Sequence, residues 1–193
     1  MSGRVTRSQQ LPLAEGLRFS KHPCTTDERP DLRGLYGQLD QNYFDGGLAA
    51  AGYTIGWGRR MKKTSGYTDL PLRIVRISWE IHRLLPEEEL IGTLLHEMIH
   101  VKLFHHRNDA DSFSHKGEFK KEMRRINKIG PYRVVIHHNL PRKVLYQLRP
   151  YVWKCRSCKH ILRLTDSRKP GLKSFHRVRG GKGCAKPSWT KVK

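Results

Sequence analysis

The run Leu94-Leu95-His96-Glu97-Met98-Ile99-His100 constrains this chain more than any other stretch. In an α-helix, residues four apart lie on the same face, so His96 and His100 could offer two imidazole nitrogens to one Zn²⁺. Glu97 projects from a neighbouring position and can reach a water molecule on that metal. The rest of the chain must then supply a third ligand and a substrate cleft.

The surrounding sequence predicts that this run lies in a buried helix. Pro86 suits a first helical turn, and the three glutamates after it favour the positive end of the helix dipole. Apolar residues follow at helical spacing: Leu90, Ile91, Leu94, Leu95, Met98, Ile99, Leu103 and Phe104. Unpaired polar groups are costly in a buried helix, so the motif predicts a catalytic zinc site of the His-Glu-x-x-His type. The alternative is that the two histidines are only packed polar side chains.

A catalytic zinc takes three protein ligands and keeps one position open for water. His115 follows His100 beyond a polar stretch and stands at the start of a predicted helix, which makes it the preferred third ligand. The alternative is that His115 only caps that helix. The side chains that could then complete the site are Asp109, Asp111 and Glu118. With Glu97 as general base and acid, the site predicts zinc-assisted hydrolysis of a peptide bond.

A second cluster of metal-binding residue types lies near the C-terminus. Cys155 and Cys158 have the spacing of a zinc knuckle, and His176 and Cys184 follow farther along the chain. These four residues predict a closed site for a second, structural Zn²⁺, with His160 as a weaker candidate for the histidine position. A redox role is disfavoured because further matching ligands exist. So small a segment has too little apolar content to fold without a metal.

The positive charge is concentrated in the second half of the chain. Of the formal net charge of +21, residues 1–100 contribute 13 Lys and Arg against 12 Asp and Glu, whereas residues 101–193 contribute 25 against 5. From residue 141 onward, Asp166 is the only acid against 16 bases. A surface of one sign attracts polyanions, so we expect nucleic acid as a partner, with an acidic protein or a membrane surface as alternatives.

Aromatic residues interleave with these basic residues and favour binding of single-stranded or partly single-stranded DNA. Nucleobases stack on aromatic rings within a cationic groove, which holds a single strand without sequence preference. The alternative for Trp153 is packing against the zinc knuckle. The predicted DNA contacts are Trp153, Arg156, Lys159, Arg163, Phe175, Arg177, Arg179 and Lys182.

The sequence predicts an α+β fold in three parts. Residues 1–29 are expected to be a flexible segment, 30–140 a zincin-like metalloprotease domain of helices with a small sheet, and 141–193 a small, basic, zinc-ribbon-like module. The elements expected before residue 105 are a helix over 31–45, strands over 53–57 and 72–78, and a turn or strand over 64–67. Those expected afterwards are a loop over 105–112, a helix from about 115 to 129, a strand over 132–136 and a linker-like stretch over 137–150, which, like 1–29, is a candidate self-cleavage site.

No apolar run approaches the length of a transmembrane helix, and the N-terminus has no signal-peptide pattern. We therefore expect an intracellular, soluble protein. It is further expected to be a monomer and to bind no membrane.

These residues in this order resemble the SprT-like metalloproteases, most closely the Spartan type, over about residues 30–190. The resembling stretches are Asp31-Leu32, Asn42-Tyr43-Phe44, Gly47-Leu48, Trp57, Arg60-Met61, Gly66, the zinc motif, Asn108-Asp109, His115, Gly117-Glu118-Phe119, Met123, Arg125-Ile126-Asn127, and Trp153 with the cysteine–histidine set. The family often has Cys-Ala-Gly where this chain has Thr64-Ser65-Gly66, and Gly where it has Lys116. Neither departure removes a ligand.

The resemblance implies a DNA-dependent protease that degrades proteins covalently trapped on DNA, nuclear and chromatin-associated in a eukaryote. It assigns zinc to His96, His100 and His115 and acid–base work to Glu97. It also implies that the C-terminal zinc module binds DNA and helps to gate the protease, with self-cleavage as a further restraint. Because the chain ends at Lys193, recruitment through the ubiquitin- and clamp-binding tails of larger relatives is not expected. The rival interpretations are a DNA-binding protein with a scaffold-only zincin domain and a zinc peptidase that DNA does not gate.

Overall fold

The computed structural model describes residues 29–107, 113–171, 184 and 186–192. The predicted flexible segment 1–29 therefore lies almost entirely outside the described residues. The chain divides into two compact units, Met1–His138 and Asn139–Lys193, and each mixes helices with a small sheet. The elements of the first unit are α1 (Leu32–Phe44), a 3₁₀ turn (Ala49–Ala51), β1 (Thr54–Gly58), β2 (Gly66–Asp69), β3 (Ile74–Ser78), α2 (Trp79–His82), α3 (Glu87–Arg107) and α4 (Gly117–Ile129).

Helix α1 begins and ends where the sequence predicts. The side chain of Asp31 accepts a hydrogen bond from the backbone N–H of Arg33 at 3.0 Å and so caps the first turn. Asp45 ends the helix in the left-handed region at φ 57°. The buried carboxylate of Asp40 then accepts bonds from the backbone N–H groups of Leu48 and Ala49, which fixes the chain as it leaves the helix.

The first unit contains a three-stranded sheet of order β1-β3-β2, in which β1 pairs with β3 parallel and β2 pairs with β3 antiparallel. Strand β2 therefore lies at an edge. Val75 and Ile77 on β3 are fully buried and belong to the main core, together with Leu94 and Leu95 of α3. One face of the sheet thus packs against the helix that carries the zinc motif.

Strand β3 is shorter than predicted, because it starts at Ile74 and not at residue 72. Leu72 is 67% exposed, and its backbone N–H donates to the carboxylate of Asp69. Arg73 has φ 52°, in the left-handed region. These residues form a turn between β2 and β3, because an Asp side chain that accepts from a nearby backbone N–H favours a turn over a ladder.

Helix α3 is the predicted buried helix. Leu94, Leu95, Met98 and Ile99 have no exposed surface. The helix continues to Arg107, so the prediction of a loop from residue 105 is wrong for 105–107, and residues 108–112 lie outside the described part. Within the described residues, no helix is both long and apolar enough to cross a bilayer.

The predicted strand over 132–136 is wrong: this segment follows α4 and joins neither sheet of the described structure. The side-chain amide of Asn127 donates to the carbonyl of Val134 at 3.0 Å and accepts from its N–H at 2.7 Å. The backbone groups that a partner strand would need are thereby satisfied by a side chain. Val134 is buried and packs into the main core.

The second unit contains α5 (Arg142–Leu148), β4 (Tyr151–Cys155), β5 (Ile161–Leu164) and β6 (Trp189–Lys191). The stretch predicted as a linker over 137–150 thus carries a helix, whose Val144 and Leu148 are buried. The strands form an antiparallel sheet of order β5-β4-β6. Trp153, Cys155 and Trp189 form the small core of this unit.

Candidate metal centre

Helices α3 and α4 bring three imidazoles to one point. His96 and His100 lie one turn apart on α3, and His115 stands two residues before α4. Their Nε2 atoms form a triangle with sides of 3.3 Å (His96 to His100), 3.2 Å (His100 to His115) and 2.9 Å (His115 to His96). The side chain predicted as the third ligand therefore lies with the motif histidines.

The size of this triangle fits Zn²⁺. Three nitrogens on a tetrahedral zinc at 2.0–2.1 Å lie about 3.3 Å apart, and the observed sides are at or slightly below this value. Three imidazole nitrogens that converge on one point are the ligand set of a catalytic zinc site. Of the alternative ligands considered from the sequence, Glu118 forms an ion pair with Lys121 at 3.7 Å, and Asp109 and Asp111 lie outside the described residues.

A backbone carbonyl orients His96. The Nδ1–H of His96 donates to the carbonyl of Val135 at 2.8 Å, which leaves the Nε2 lone pair directed into the triangle. Val135 directly follows Val134, which Asn127 holds through two hydrogen bonds. Burial lowers the pKa of His96 to about 3, which keeps the ring neutral and able to ligate.

Phe119 supports all three rings from one side. Its ring centroid lies 4.8 Å from that of His96 and 4.7 Å from those of His100 and His115. The side chain is fully buried in the first turns of α4. Because a packed core holds its side chains in single rotamers, Phe119 restricts the histidines to the observed arrangement. In the sequence, Phe119 was notable only as part of a stretch that resembles the family.

Glu97 faces the same space and is 5% exposed. The hydroxyl of Thr68 on β2 donates to Glu97 Oε2 at 2.7 Å and orients the carboxylate. Burial raises the pKa of Glu97 to about 7, and the Thr68 hydrogen bond opposes this rise. A carboxylate with a pKa near neutrality is suited to accept and return a proton at physiological pH.

A cleft of about 230 Å³ opens over these groups. Its walls come from β2 on one side and from the histidines, Glu97 and Phe113 on the other. Gly66 is part of the wall, and it lies so close to the catalytic carboxylate that a Cβ at this position would be 2.9 Å from Glu97 Oε1.

No sequence pattern pointed to Thr68, whose role depends on the packing of β2 against α3. Lys116, where the family usually has Gly, has an extended backbone at φ −101° that any residue adopts.

The second unit brings three cysteines together. The sulfur atoms of Cys155, Cys158 and Cys184 lie within 4.8 Å of one another, and those of Cys155 and Cys184 are 3.9 Å apart. Sulfurs on a tetrahedral zinc at about 2.3 Å lie about 3.8 Å apart, so this spacing fits a metal. Hydrogen bonds from backbone groups, chiefly that of Cys158, lower the pKa of Cys155 to about 6 and favour the ligating thiolate. His176 lies outside the described residues, and His160 is not in the cluster that these residues form.

The predicted DNA contacts of the second unit differ in accessibility. Trp153 is 7% exposed and packs with Cys155 and Trp189. This agrees with the alternative interpretation, in which Trp153 packs against the zinc knuckle, and its ring is too buried to stack on a nucleobase. Arg156 and Lys159 are exposed. Phe175, Arg177, Arg179 and Lys182 lie outside the described residues.

An exposed aromatic side chain that the sequence did not single out also lies in this unit. Tyr146 on α5 is 49% exposed, and the guanidinium of Arg163 lies 4.0 Å above its ring. The sequence did not point to Tyr146, because this stretch was predicted to be a linker and not a helix with an exposed face.

A His-Glu-x-x-His helix with a third histidine, packed against a small sheet, is the arrangement of a zinc metalloprotease site. The chain belongs to the SprT-like family, which it matches over residues 32–142. It is 34% identical to the DNA-dependent metalloprotease SPRTN of Homo sapiens over 139 residues, which are 69% of this chain and 28% of that protein. It is 35% identical to the DNA-dependent metalloprotease SPRTN of Xenopus tropicalis over 133 residues, which are 67% of this chain and 30% of that protein. It is 33% identical to the DNA-dependent metalloprotease dvc-1 of Caenorhabditis elegans over 138 residues, which are 67% of this chain and 36% of that protein. The chain thus spans only about a third of the length of these curated relatives.

Proposed function

We propose that this chain is a zinc endopeptidase that depends on DNA and cleaves proteins crosslinked to DNA or tightly bound on it. The observation that carries the proposal is the triangle of His96, His100 and His115 beside the buried carboxylate of Glu97. The names of the curated relatives, DNA-dependent metalloproteases, support the dependence on DNA. In a eukaryote such an enzyme would act in the nucleus, on chromatin, in the repair of DNA–protein crosslinks.

The residues of the site divide the chemistry between them. His96, His100 and His115 would hold the zinc ion, which would supply a water molecule of lowered pKa and a Lewis acid for the peptide carbonyl. Glu97 accepts the proton of the attacking water and returns it to the leaving amine. Thr68 holds the carboxylate in place through this exchange. The burial of Glu97 strengthens these electrostatic interactions, because a charge shielded from solvent is screened less.

The substrate is best placed along β2. This strand lies at an edge of the sheet, and Gly66 and Thr68 line the cleft. An extended peptide can pair its backbone with an edge strand, which gives affinity without demanding particular side chains. Such binding suits a protease whose substrates share only their attachment to DNA.

The second unit is proposed to bind DNA around a structural zinc. Cys155, Cys158 and Cys184 would hold this ion, with His176 as the fourth ligand. Exposed Arg156 and Lys159, together with the Tyr146–Arg163 pair, provide the charge and the aromatic ring that a single strand requires. Two zinc ions per chain are expected, and chelation is expected to destabilise this unit first.

The test is cleavage of a DNA-binding protein by the purified chain, with and without single-stranded DNA. Cleavage is expected only with DNA, and Glu97→Gln should reduce it by at least about 100-fold because it removes the general base. Glu80→Gln on α2 is the matched control, since it removes the same charge from a helix that does not line the cleft.

Each rival predicts a different result. Full cleavage without DNA would identify a general zinc peptidase. Equal cleavage by Glu97→Gln would refute the assigned mechanism, and no cleavage under any condition would favour a scaffold. Independently, a DNA affinity that does not change between low and moderate salt would contradict phosphate contacts.

A further inference from the structure

The sheet of the first unit presents an outer face that the proposed catalytic site does not use. Gly56 of β1 is paired with Arg76 of β3, and Arg76 is paired with Tyr67 of β2, so these three residues form one row across the sheet. Neighbouring residues on each strand point to opposite faces, and Thr68, next to Tyr67, contacts Glu97 on the inner face. The row therefore lies on the outer face.

A groove of about 410 Å³ runs along this face beside β1. Gly56 forms its floor, and a Cβ there would lie 3.3 Å from Arg76 Nη1. The missing side chain lets the Arg76 guanidinium lie across β1, where its Nη1 donates to the carbonyl of Thr54 at 3.2 Å. Trp57, Arg59 and Tyr67 line the remaining surface. We call this feature the sheet groove.

The chain segment 59–76, which supplies Arg59, Met61, Tyr67 and Arg76 to the sheet groove, is strongly basic. Six of the 13 Lys and Arg residues in residues 1–100 fall between positions 59 and 76, where Asp69 is the only acidic residue. Asp69 accepts from the backbone of Leu72. None of the six forms a salt bridge with a carboxylate of the described residues. These bases are Arg59, Arg60, Lys62, Lys63, Arg73 and Arg76.

Tyr67 adds a second chemical element. It is 45% exposed, it is the strand partner of Arg76 in the row, and both side chains line the sheet groove. An exposed ring that shares a groove with cations free of salt bridges among the described residues is suited to stack a nucleobase while the cations hold phosphates. An acidic polypeptide would satisfy the charge but would leave the ring without a partner, so the combination favours nucleic acid.

We propose that the sheet groove is a second binding site for single-stranded DNA, located on the protease unit itself and separate from the basic second unit. The proposal rests on the proposed DNA-dependent function. In this site, the phosphates of the DNA contact the side chains of Arg59 and Arg60, and a nucleobase stacks on the ring of Tyr67.

The position of Tyr67 gives this site a consequence for catalysis. Tyr67 lines both the sheet groove and the cleft over the histidines. A strand bound in the groove would therefore run next to the cleft, and a protein attached to that strand would be held near Glu97. The groove would select substrates by their attachment to DNA and not by their sequence.

The test compares the binding of a fluorescent single-stranded oligonucleotide to the full chain and to Arg59→Gln/Arg60→Gln over a series of salt concentrations. Each phosphate contact on a single strand adds about 0.7 to the slope of log affinity against log salt. Loss of two contacts should lower the slope by about 1.4, and the affinity at about 0.1 M salt by on the order of 20-fold. Lys120→Gln/Lys128→Gln on α4 is the matched control, because it removes two exposed charges from the same unit outside the groove.

A second measurement tests the ring. Ultraviolet irradiation with an oligonucleotide that carries 5-iodouracil should crosslink to Tyr67. Tyr67→Leu should weaken binding by on the order of tenfold, whereas Tyr67→Phe should restore it to within about twofold, because stacking needs the ring and not the hydroxyl.

The outcomes separate this proposal from the proposed function. If the wild-type chain binds and is activated by DNA, but the arginine variant keeps its affinity and salt slope, the sheet groove is refuted and the proposed function stands. If the wild-type chain binds no single strand, both fail. Binding of poly-glutamate as tight as that of DNA, without a crosslink at Tyr67, would refute nucleic acid as the occupant.

Discussion

Gly66→Ala tests whether the position of Glu97 depends on the space that β2 leaves beside it. A Cβ at residue 66 would lie 2.9 Å from Glu97 Oε1, 3.0 Å from Thr93 Cγ2 and 3.1 Å from Ile77 Cδ1. Ordinary contact begins near 3.4 Å, so a neighbour must move by about half an ångström. Ile77 and Thr93 are at most 1% exposed and have no room to retreat. The Glu97 carboxylate, which faces the cleft, is therefore the group that moves.

The size of the effect follows from this displacement. A misplacement of about 1 Å costs about 100-fold in rate, so half an ångström should lower kcat by on the order of tenfold. Overpacking should also reduce stability by about 1–3 kcal/mol. The backbone of Gly66 is outside the left-handed region, so only space opposes the substitution.

The assay measures kcat for a peptide or protein substrate with saturating DNA, together with zinc content and the melting temperature. Zinc content should stay unchanged, because no ligand is altered. Gly37→Ala is the matched control: Gly37 is exposed on α1, and a Cβ there would have nothing within 4 Å. That change should leave kcat unchanged and add about 0.5–1 kcal/mol of stability. A Gly66→Ala enzyme with full zinc and a kcat within about twofold of wild type would refute the reasoning.

Three further predictions concern histidines and their supports. Asn127→Ala should weaken zinc binding by about 10- to 100-fold in a chelator competition, because it releases the segment whose carbonyl orients His96. His115→Ala should abolish cleavage and leave one zinc per chain by elemental analysis, whereas His105→Ala should keep both ions. Burial, with a smaller contribution from a neighbouring histidine, lowers the pKa of His82 to about 3. Since the unfolded chain binds a proton at His82 below about pH 6.5 and the folded chain does not, His82 should contribute a fall of about 2 kcal/mol in the free energy of unfolding between pH 6.5 and 5 in urea titrations, and His82→Leu should remove that contribution.

Local patterns predicted most of the helices. The cap at Asp31, the end at Asp45 and the apolar spacing of α3 follow from short-range physical chemistry, and the structure confirms all three. The prediction of a strand over 132–136 was wrong because of a side-chain contact that the residue types in this segment do not reveal. Its apolar, β-branched residues fit a strand, but Asn127 from the preceding helix satisfies the backbone of Val134.

The same division holds for the metal centre. The spacing of His96 and His100 on a helix defined two ligands and the neighbouring Glu97, because one turn of helix fixes which side chains share a face. The sequence offered His115 as the third ligand but also allowed acidic alternatives, because the stretch after His100 is long enough to place several groups near the metal. The packing of α4 against α3, through Phe119, brings His115 beside the motif histidines, whereas Glu118 is paired with Lys121 and Asp109 and Asp111 lie outside the described residues.

The sequence by itself thus determined the family, the metal-binding helix and the uneven charge, since these depend on residue identity and local spacing. Tertiary structure alone decided that Thr68 and Gly66 shape the environment of Glu97, that Val135 orients His96, and that Tyr67 and Arg76 stand in one row across a sheet. The contacts of Thr68 and Gly66 with Glu97, and of Val135 with His96, join residues far apart in the chain, and the row of Tyr67 and Arg76 joins two strands. Their positions depend on strand register and helix packing, which the sequence pattern does not encode locally.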